Sequence, residues 1–201
     1  YLPERFRGSE WEEVVKQHPL ATVIGKGEEG LVVSHLPLIF EKEKNRLLGH
    51  LARANSHAAA LMSGECLAIF HGPEAYISPL WYEECDVPTW NYLVVHLRGE
   101  ARLLPEEECE PALRALSSRM EGSDGWEFRI PADLEHSLHR AIVAFEIKIE
   151  GCQVKFKLSQ NRSAADQQGV VKGLRAKGEA AGLAVAGWME KTGAGKLDAQ
   201  Q

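Results

Sequence analysis

Two polar clusters and one aromatic segment carry the side chains with the clearest chemical capacity. In GHLARANSHAAAL, Gly49 to Leu61, a strand pattern ends at Arg53 and leads through Asn55 and Ser56 into an alanine-rich helix. A helix N-terminus offers unpaired N–H groups and a favourable dipole, and a neighbouring guanidinium forks onto phosphate, so this geometry suits an anion. A plain N-cap beside a solvent-facing arginine has the same sequence signature, and the residues alone do not separate the two. In KLSQNRS, Lys157 to Ser163, two cations, two amides and two hydroxyls gather where a strand ends. Between these clusters lies HGPEAYISPLWYEECDVPTWNY, His71 to Tyr92, with Pro73, Pro79 and Pro88 and the five rings Tyr76, Trp81, Tyr82, Trp90 and Tyr92. Aromatic residues make up only 7% of the chain, so this density suits a flat apolar ligand or a capped corner of the core. Proline fixes φ and removes a backbone donor, so the segment reads as a shaped loop rather than a central strand.

Other constellations point less far. His136 and His139 would lie one turn apart on a helix, but no third ligand follows at zinc spacing and HExxH is absent. His35, His50, His71 and His96 fall at strand positions, where a half-buried imidazole bonded to backbone is the ordinary role. Cys66, Cys85, Cys109 and Cys152 are widely spaced, form no CxxC and follow no nucleophile signature, so they read as reduced thiols. GxSxG, Walker and GxGxxG patterns are absent, and the GKGEEG run from Gly25 reads as a hairpin turn. No catalytic or metal-ligating residue is singled out.

These side chains need elements to hold them. Ser9 with Glu12 forms a capping box ahead of Trp11, Val14 and Val15, predicting a helix over Ser9 to Gln17 that Pro19 stops. Leu20 to Gly25, Leu31 to Phe40 and Arg46 to His50 then read as an antiparallel meander, with a charged turn at Glu41 to Asn45. A short helix over Ala58 to Leu61 and a strand over Cys66 to Phe70 lead into the aromatic loop. Tyr92 to Leu104 alternates as a long strand, and Pro105 opens a helix whose Glu106, Glu107 and Glu108 suit the dipole. Trp126 to Pro131 reads as a connector, Leu134 to Ala141 as a short helix, and Ile142 to Ile149 and Gln153 to Leu158 as two strands around Gly151. Beyond Ser163 the apolar spacing predicts two helices broken at Gly178, then a frayed tail from Thr192. Six or more short strands with few helices indicate a small closed barrel with peripheral helices.

At 201 residues, 44% hydrophobic and 26% charged, the chain is long enough for one well-buried core and an appendage. No apolar run approaches the roughly 20 residues of a membrane span, and Tyr1 to Arg7 lacks the order of a signal peptide, so a cytoplasmic address is expected. The net charge of −6 opposes a surface that grips nucleic acid throughout, yet Lys148 to Gln201 holds nine Lys or Arg against five Asp or Glu. A phosphate-bearing partner would find its cations around Lys155, Lys157, Arg162, Lys172, Arg175 and Lys177, the last three doubling as a solvated helix face.

The blocks HLPL (His35 to Leu38), GHLARAN (Gly49 to Asn55), FHGPEAYISPLWY (Phe70 to Tyr82), VPTWNY (Val87 to Tyr92), VHLRG (Val95 to Gly99) and KLSQNR (Lys157 to Arg162) resemble, in order and spacing, the PaiB-type negative transcriptional regulators. The resemblance runs from Tyr1 to about Leu174. It implies a mainly β fold with peripheral helices, the FMN-binding split β-barrel related to pyridoxamine-phosphate oxidases and flavin reductases, with Greek-key-type antiparallel topology. Residues 1–162 would form the barrel and 163–201 a helical extension. It implies FMN as cofactor, a homodimer and, for a repressor, DNA as a partner, although no recognition helix of helix-turn-helix type is legible. The resemblance implies that the segment Arg53 to His57 binds the flavin phosphate while the preceding strand lies along the ring, which gives Ser34, His35, His50, Arg53, Asn55, Ser56 and His57 as contacts, with Trp90, Asn91 and Tyr92 stacking on or bonding to the ring and Lys157, Gln160 and Asn161 closing the site from the same subunit or the second. Where pyridoxamine-phosphate oxidases place arginine and lysine in the phosphate turn, this chain has Ser56 and His57. The same fold also admits a flavin oxidoreductase using NAD(P)H and a haem-binding barrel with His35, His50 or His96 as axial ligands.

Overall fold

The computed structural model describes residues 4–61, 64–84, 87–122, 125–126 and 140–193. Its elements run α1 (Trp11–Gln17), β1 (Leu20–Gly27), β2 (Gly30–Pro37), β3 (Ile39–Glu41), β4 (Arg46–Ala52), α2 (His57–Leu61), β5 (Glu65–Ile77), β6 (Thr89–Leu103), α3 (Glu106–Glu121), β7 (Ile142–Lys157), α4 (Ala164–Lys177) and α5 (Ala180–Lys191). The seven strands form one sheet in the order β2-β1-β5-β6-β7-β4-β3. By contact density the chain divides into two compact units. The first comprises residues 1–14, 71–95 and 154–201, and the second residues 15–70 and 96–153. No helix of the described residues is long and apolar enough to cross a membrane.

In the second unit, β1 and β2 form a hairpin through the two-residue turn Glu28–Glu29, with Gly27 opposite Gly30. Gly30 has φ +130°, a conformation only glycine adopts without strain. The meander expected from the sequence is not what forms. β3 pairs with β4, and β4 then pairs with β7 from Arg46 opposite Lys148 to Ala52 opposite Ile142, so β2 and β3 end at opposite edges. A strand's partner is set by which apolar face it must cover, and β4 is buried almost throughout, a demand that a two-stranded hairpin cannot meet. Helix α3 lays Cys109, Ala112 and Leu116 against Ile39, Leu48, Leu104 and Ala144. Arg46 and Glu146 are buried together: Arg46 donates to Glu146 and to Glu41, and Arg102 Nε donates to Glu146 Oε1 at 2.6 Å. Burial alone would raise the Glu146 carboxyl, but the hydrogen bonds from Arg46 and Arg102 outweigh it and hold the group below its usual range.

In the first unit, Phe156 meets Trp188 edge to face at 5.5 Å within a core of Ile77, Leu93, Leu158, Val170, Leu174, Val185 and Met189. The two helices beyond Ser163 form as expected. Ser163 Oγ accepts from Asp166 N at 3.0 Å to cap α4, and Gly178, at φ +73°, ends it with its N–H on the Leu174 carbonyl.

Two strands are longer than the sequence suggests. β5 continues through His71 and Pro73 to Ile77, and β6 begins at Thr89, so the loop contracts to residues 78–88. Proline is tolerated because the bonds of β5 to β1 are confined to Cys66–Ile69, leaving Pro73 outside that ladder. β7 likewise runs unbroken through Gly151. A Cβ there would stand 3.0 Å from Arg98 Nη2, so glycine gives room for a side chain lying over the strand and does not mark a turn. Cys66, Cys109 and Cys152 are free thiols, and burial followed by the charge of Glu65 pushes Cys66 up to about 12, which leaves it without a thiolate at neutral pH. The expected connector after Trp126, the His136–His139 pair, most of the Leu134–Ala141 helix, Cys85 and the tail beyond Gly193 lie outside the described residues.

Candidate functional site

The residues expected to contact a ligand fall into two groups, one in each unit. In the second unit, β2 alternates so that Ser34 faces inward and His35 outward, while α2 seats His57 against the inner side of β1. Ser34 Oγ and His57 Nδ1 share a hydrogen bond of 2.8 Å. His57 is fully buried, and its Nε2 has no hydrogen-bond partner. It lies 3.0 Å from where a Cβ on Gly25 would be, so β1 carries glycine there to admit the imidazole. Burial lowers the His57 pKa, and the ring is neutral at pH 7. His50, half-buried on β4 with Nδ1 buried and unpartnered, is lowered for the same reason.

The turn before α2 divides its side chains between structure and solvent. Asn55 Oδ1 accepts from His57 N at 2.9 Å and caps the helix, so its carbonyl is spent locally. Arg53 donates from Nε to the Arg140 carbonyl at 2.9 Å and from Nη2 to the Ile142 carbonyl at 3.1 Å. Much of that guanidinium therefore braces the start of β7, though the side chain remains exposed. Ser56 is exposed and lines an open cleft with Gly25, Lys26, Leu31, Ala59 and Arg98. Ser34, Asn55 and His57 are thus brought together through the Ser34–His57 bond and the cap, whereas His35 points to the other face of its strand.

In the first unit, β6 places Trp90 and Tyr92 outward and Asn91 inward. Asn91 is fully buried, donating from Nδ2 to Ser159 Oγ at 2.9 Å and touching Met189 Sδ at 3.5 Å. Ser159, 2% exposed, stands at φ +64°, a left-handed conformation that costs a non-glycine residue about 1 kcal/mol or more. Gln160 folds back, accepting from Leu158 N at 2.7 Å and donating to the Phe156 carbonyl at 2.6 Å, so its amide clamps the end of β7. Lys157 donates to Thr89 Oγ1, and Asn161 is exposed. Trp90 meets Tyr76 edge to face at 6.1 Å, and Lys155 Nζ sits 5.4 Å from the centre of the Tyr92 ring. Within the loop, Trp81 packs on α4 and Arg162 lies 4.6 Å over the Tyr82 ring, so these two rings are taken up by the fold.

Sequence reasoning counted Tyr76 among the rings, Lys155 among the cations and Ser159 within KLSQNRS, but placed none of the three among the implied flavin contacts. Period-two alternation of Glu74 and Tyr76 would have exposed Tyr76 had the segment been read as strand. Ser159 had no signal, because serine does not announce a positive φ. Among the described residues no group of three His, Cys, Asp or Glu side chains converges as metal ligands. The cations expected for an anionic partner on α4 are partly paired, Arg175 to Glu190 at 2.7 Å and Lys177 to Glu179 at 3.0 Å.

The fold matches that of the FAD and heme binding protein from Mycobacterium smegmatis, with TM-score 0.65 and 16% identity over 88% of this chain and 81% of that one. The flavocytochrome Anf3 from Azotobacter vinelandii aligns at TM-score 0.58 with 18% identity over 77% and 74%. Likenesses at this identity show a shared split-barrel fold. In sequence, the chain is 35% identical to the "Protease synthase and sporulation protein PAI 2" of Bacillus subtilis (strain 168), over 87% of this chain and 89% of the relative. Residues 1–151 match the family described as "Putative FMN-binding domain". With three quarters of its length matching that family and a relative at 35% identity aligned nearly end to end, the chain belongs to the PaiB-type FMN-binding family.

Proposed function

We propose that this protein is a homodimeric FMN-binding regulator of the PaiB type, in which bound flavin links transcriptional control to a redox or metabolic signal. The observation that carries the flavin part is the disposition of side chains within a family of FMN-binding domains. In the second unit the strand-to-helix turn leaves Arg53 and Ser56 exposed beside the Ser34–His57 pair, a donor set that suits a phosphate. In the first unit Trp90, Tyr92, Lys157 and Asn161 are at least partly exposed, a ring-binding and polar set that suits a flavin. Ser34, His57, Asn55, Asn91 and Gln160 serve in this reading as positioning residues, and His35 and His50 remain in the flavin-contact set.

Dimerisation is supported by the outer face of the second unit. Leu31 is 76% and Val33 53% exposed, and by strand register Val33 faces Ile24, which faces Leu67, while Thr22 faces Ile69 further along, a largely apolar face that begins beside Lys26 opposite Leu31. A second copy covering its own equivalent patch is the simplest closed arrangement.

The experiment is an absorbance spectrum of the purified protein followed by FMN fluorescence titration, sedimentation and mobility-shift assays on genomic fragments with flavin oxidised and reduced. Quenching at micromolar FMN or below, weakened by Arg53→Ala and Ser56→Ala, is the expected result. No quenching refutes the cofactor, a monomer refutes the dimer, and no retarded fragment in either redox state refutes the regulatory role. Rapid reduction of bound flavin by NADH or NADPH would instead make the protein an oxidoreductase.

A further inference from the structure

The geometry points to Tyr76 and Lys155 as ligand-binding residues, completing with Trp90 and Tyr92 a platform that takes the planar ring of the flavin. The inference rests on the flavin reading above and names two residues, Tyr76 and Lys155, that are not among the flavin contacts implied by the resemblance. Tyr76 ends β5, Trp90 and Tyr92 open β6, and Lys155 and Lys157 close β7, all within the first unit. Each occupies the outward phase of its strand, between buried neighbours Ala75 and Ile77, Asn91 and Leu93, and Val154 and Phe156.

Three facts select the occupant. First, Tyr76 is 44% and Trp90 51% exposed although both are large rings, and at an interplanar angle of 77° they meet edge to face and are not stacked on one another. A planar molecule can therefore stack on Trp90 while Tyr76 borders it edge-on. Second, Lys155 holds an ammonium group over the Tyr92 ring and Lys157, two residues on along β7, is tied to Thr89 at the start of β6, with Glu74 the acid on the same outward phase of β5. The balance favours a ring system carrying electronegative oxygens over a cationic or purely aliphatic one. Third, the face is fixed from beneath: Asn91, between the two outward rings, is tied to the buried Ser159, whose left-handed backbone turns the chain just beyond Lys157. Rings and cations held by buried hydrogen bonds are preorganised, and little freedom remains to be lost on binding.

The test titrates FMN and riboflavin into the full-length protein and its Tyr76→Leu, Trp90→Leu and Lys155→Gln variants, with circular dichroism and sedimentation on each. Tyr76→Leu and Trp90→Leu are expected to weaken both ligands alike, on the order of 10-fold or more, because they remove contacts to the ring common to the two. Lys155→Gln is expected to weaken both by a smaller factor. If the wild type quenches FMN and these variants quench it equally well, this inference fails and the flavin reading stands. If the wild type quenches neither ligand, both fail. Loss confined to FMN in Lys155→Gln would move that lysine to the phosphate and overturn its place at the ring. Variants that dissociate a dimer as they lose flavin would show that a second copy covers the face, and would overturn the platform. Tyr76→Phe, which keeps the ring and hence the platform, is expected to bind as the wild type does.

Discussion

Replacing Gly169 by alanine tests how the aromatic loop is held, and the sign of the effect decides the matter. Gly169 and Gly173 lie one turn apart on α4, facing the single turn Pro79–Trp81 that Ser78 caps. A Cβ at position 169 would fall 2.0 Å from the Trp81 carbonyl oxygen, and one at 173 would fall 2.3–2.6 Å from indole atoms of the same residue. The first obstacle is backbone, further fastened where Glu83 N donates to Asp166 Oδ1 at 2.9 Å, so it cannot swing aside as a flexible side chain would.

Two effects oppose each other in that substitution. Glycine to alanine within a helix is worth about 1 kcal/mol in favour of alanine. Forcing a methyl group into an occupied contact costs about 1–3 kcal/mol. Gly169→Ala should therefore be neutral to about 2 kcal/mol destabilising. Gly187, on the exposed side of α5, has nothing within 4 Å of its added Cβ, so Gly187→Ala isolates the propensity term and should stabilise by about 1 kcal/mol. For a domain of this size each kcal/mol moves Tm by about 2–4 °C, so the two variants should shift in opposite directions or differ by several degrees. Urea and thermal unfolding on the wild type and both variants settle it. If Gly169→Ala and Gly187→Ala raise Tm equally, the loop does not rest on α4 and the packing reasoning is wrong.

Three further outcomes follow from buried polar groups. Glu146→Ala leaves Arg46 desolvated with Glu41 as its remaining acid, and should cost about 3–5 kcal/mol in urea denaturation, while Glu146→Leu combined with Arg46→Met should cost markedly less; equal losses would refute the pairing argument. Burial lowers the pKa values of His18, His50 and His57, so the unfolded chain binds protons more readily below about pH 6.5; stability should fall as pH drops from 7.5 to 5.5, at up to about 1.4 kcal/mol per pH unit per histidine, and an unchanged urea midpoint would contradict it. Ser159→Ala removes the bond to buried Asn91 and keeps the left-handed backbone, whereas Ser159→Gly removes the bond and relieves the backbone, so alanine should be the less stable variant by about 1 kcal/mol in thermal unfolding; glycine at or below alanine would show that the φ carries no strain.

Local chemistry was legible in this sequence, and long-range partnership was not. The GKGEEG hairpin, the Asn55 cap, the acidic start of α3 and the break at Gly178 are each specified by residues within a few positions of one another. The pairing of β4 with β7, from Arg46 opposite Lys148 to Ala52 opposite Ile142, depends on which faces bury each other, and nothing near Arg46 states it. Pro73 and Gly151 misled for a related reason: each usually ends a strand, but proline is harmless where no ladder bond is needed and glycine is required where Arg98 crosses. At the candidate site, composition marked KLSQNR as polar, yet polarity does not distinguish an amide offered to a ligand from one that clamps the backbone.

That distinction changes how the family's motifs should be read. In VPTWNY the strand alternation sends Asn91 inward and Trp90 and Tyr92 outward, and in KLSQNR it buries Leu158 and Ser159 beside exposed Asn161. The two motifs meet through the Asn91–Ser159 bond and again through Lys157 and Thr89, so each is half lock and half contact surface. A substitution at the inward residues should disturb stability first and ligand affinity as a consequence, whereas one at the outward rings and cations should change affinity at constant stability. Asn91→Ala and Trp90→Leu, adjacent in sequence and opposite in direction, separate the two halves: Asn91→Ala should lower Tm through the unpaired Ser159, and Trp90→Leu should leave Tm within a few degrees while weakening FMN. If both variants lose affinity in proportion to lost stability, the outward ring acts only through the fold, and the motif is structural on both faces.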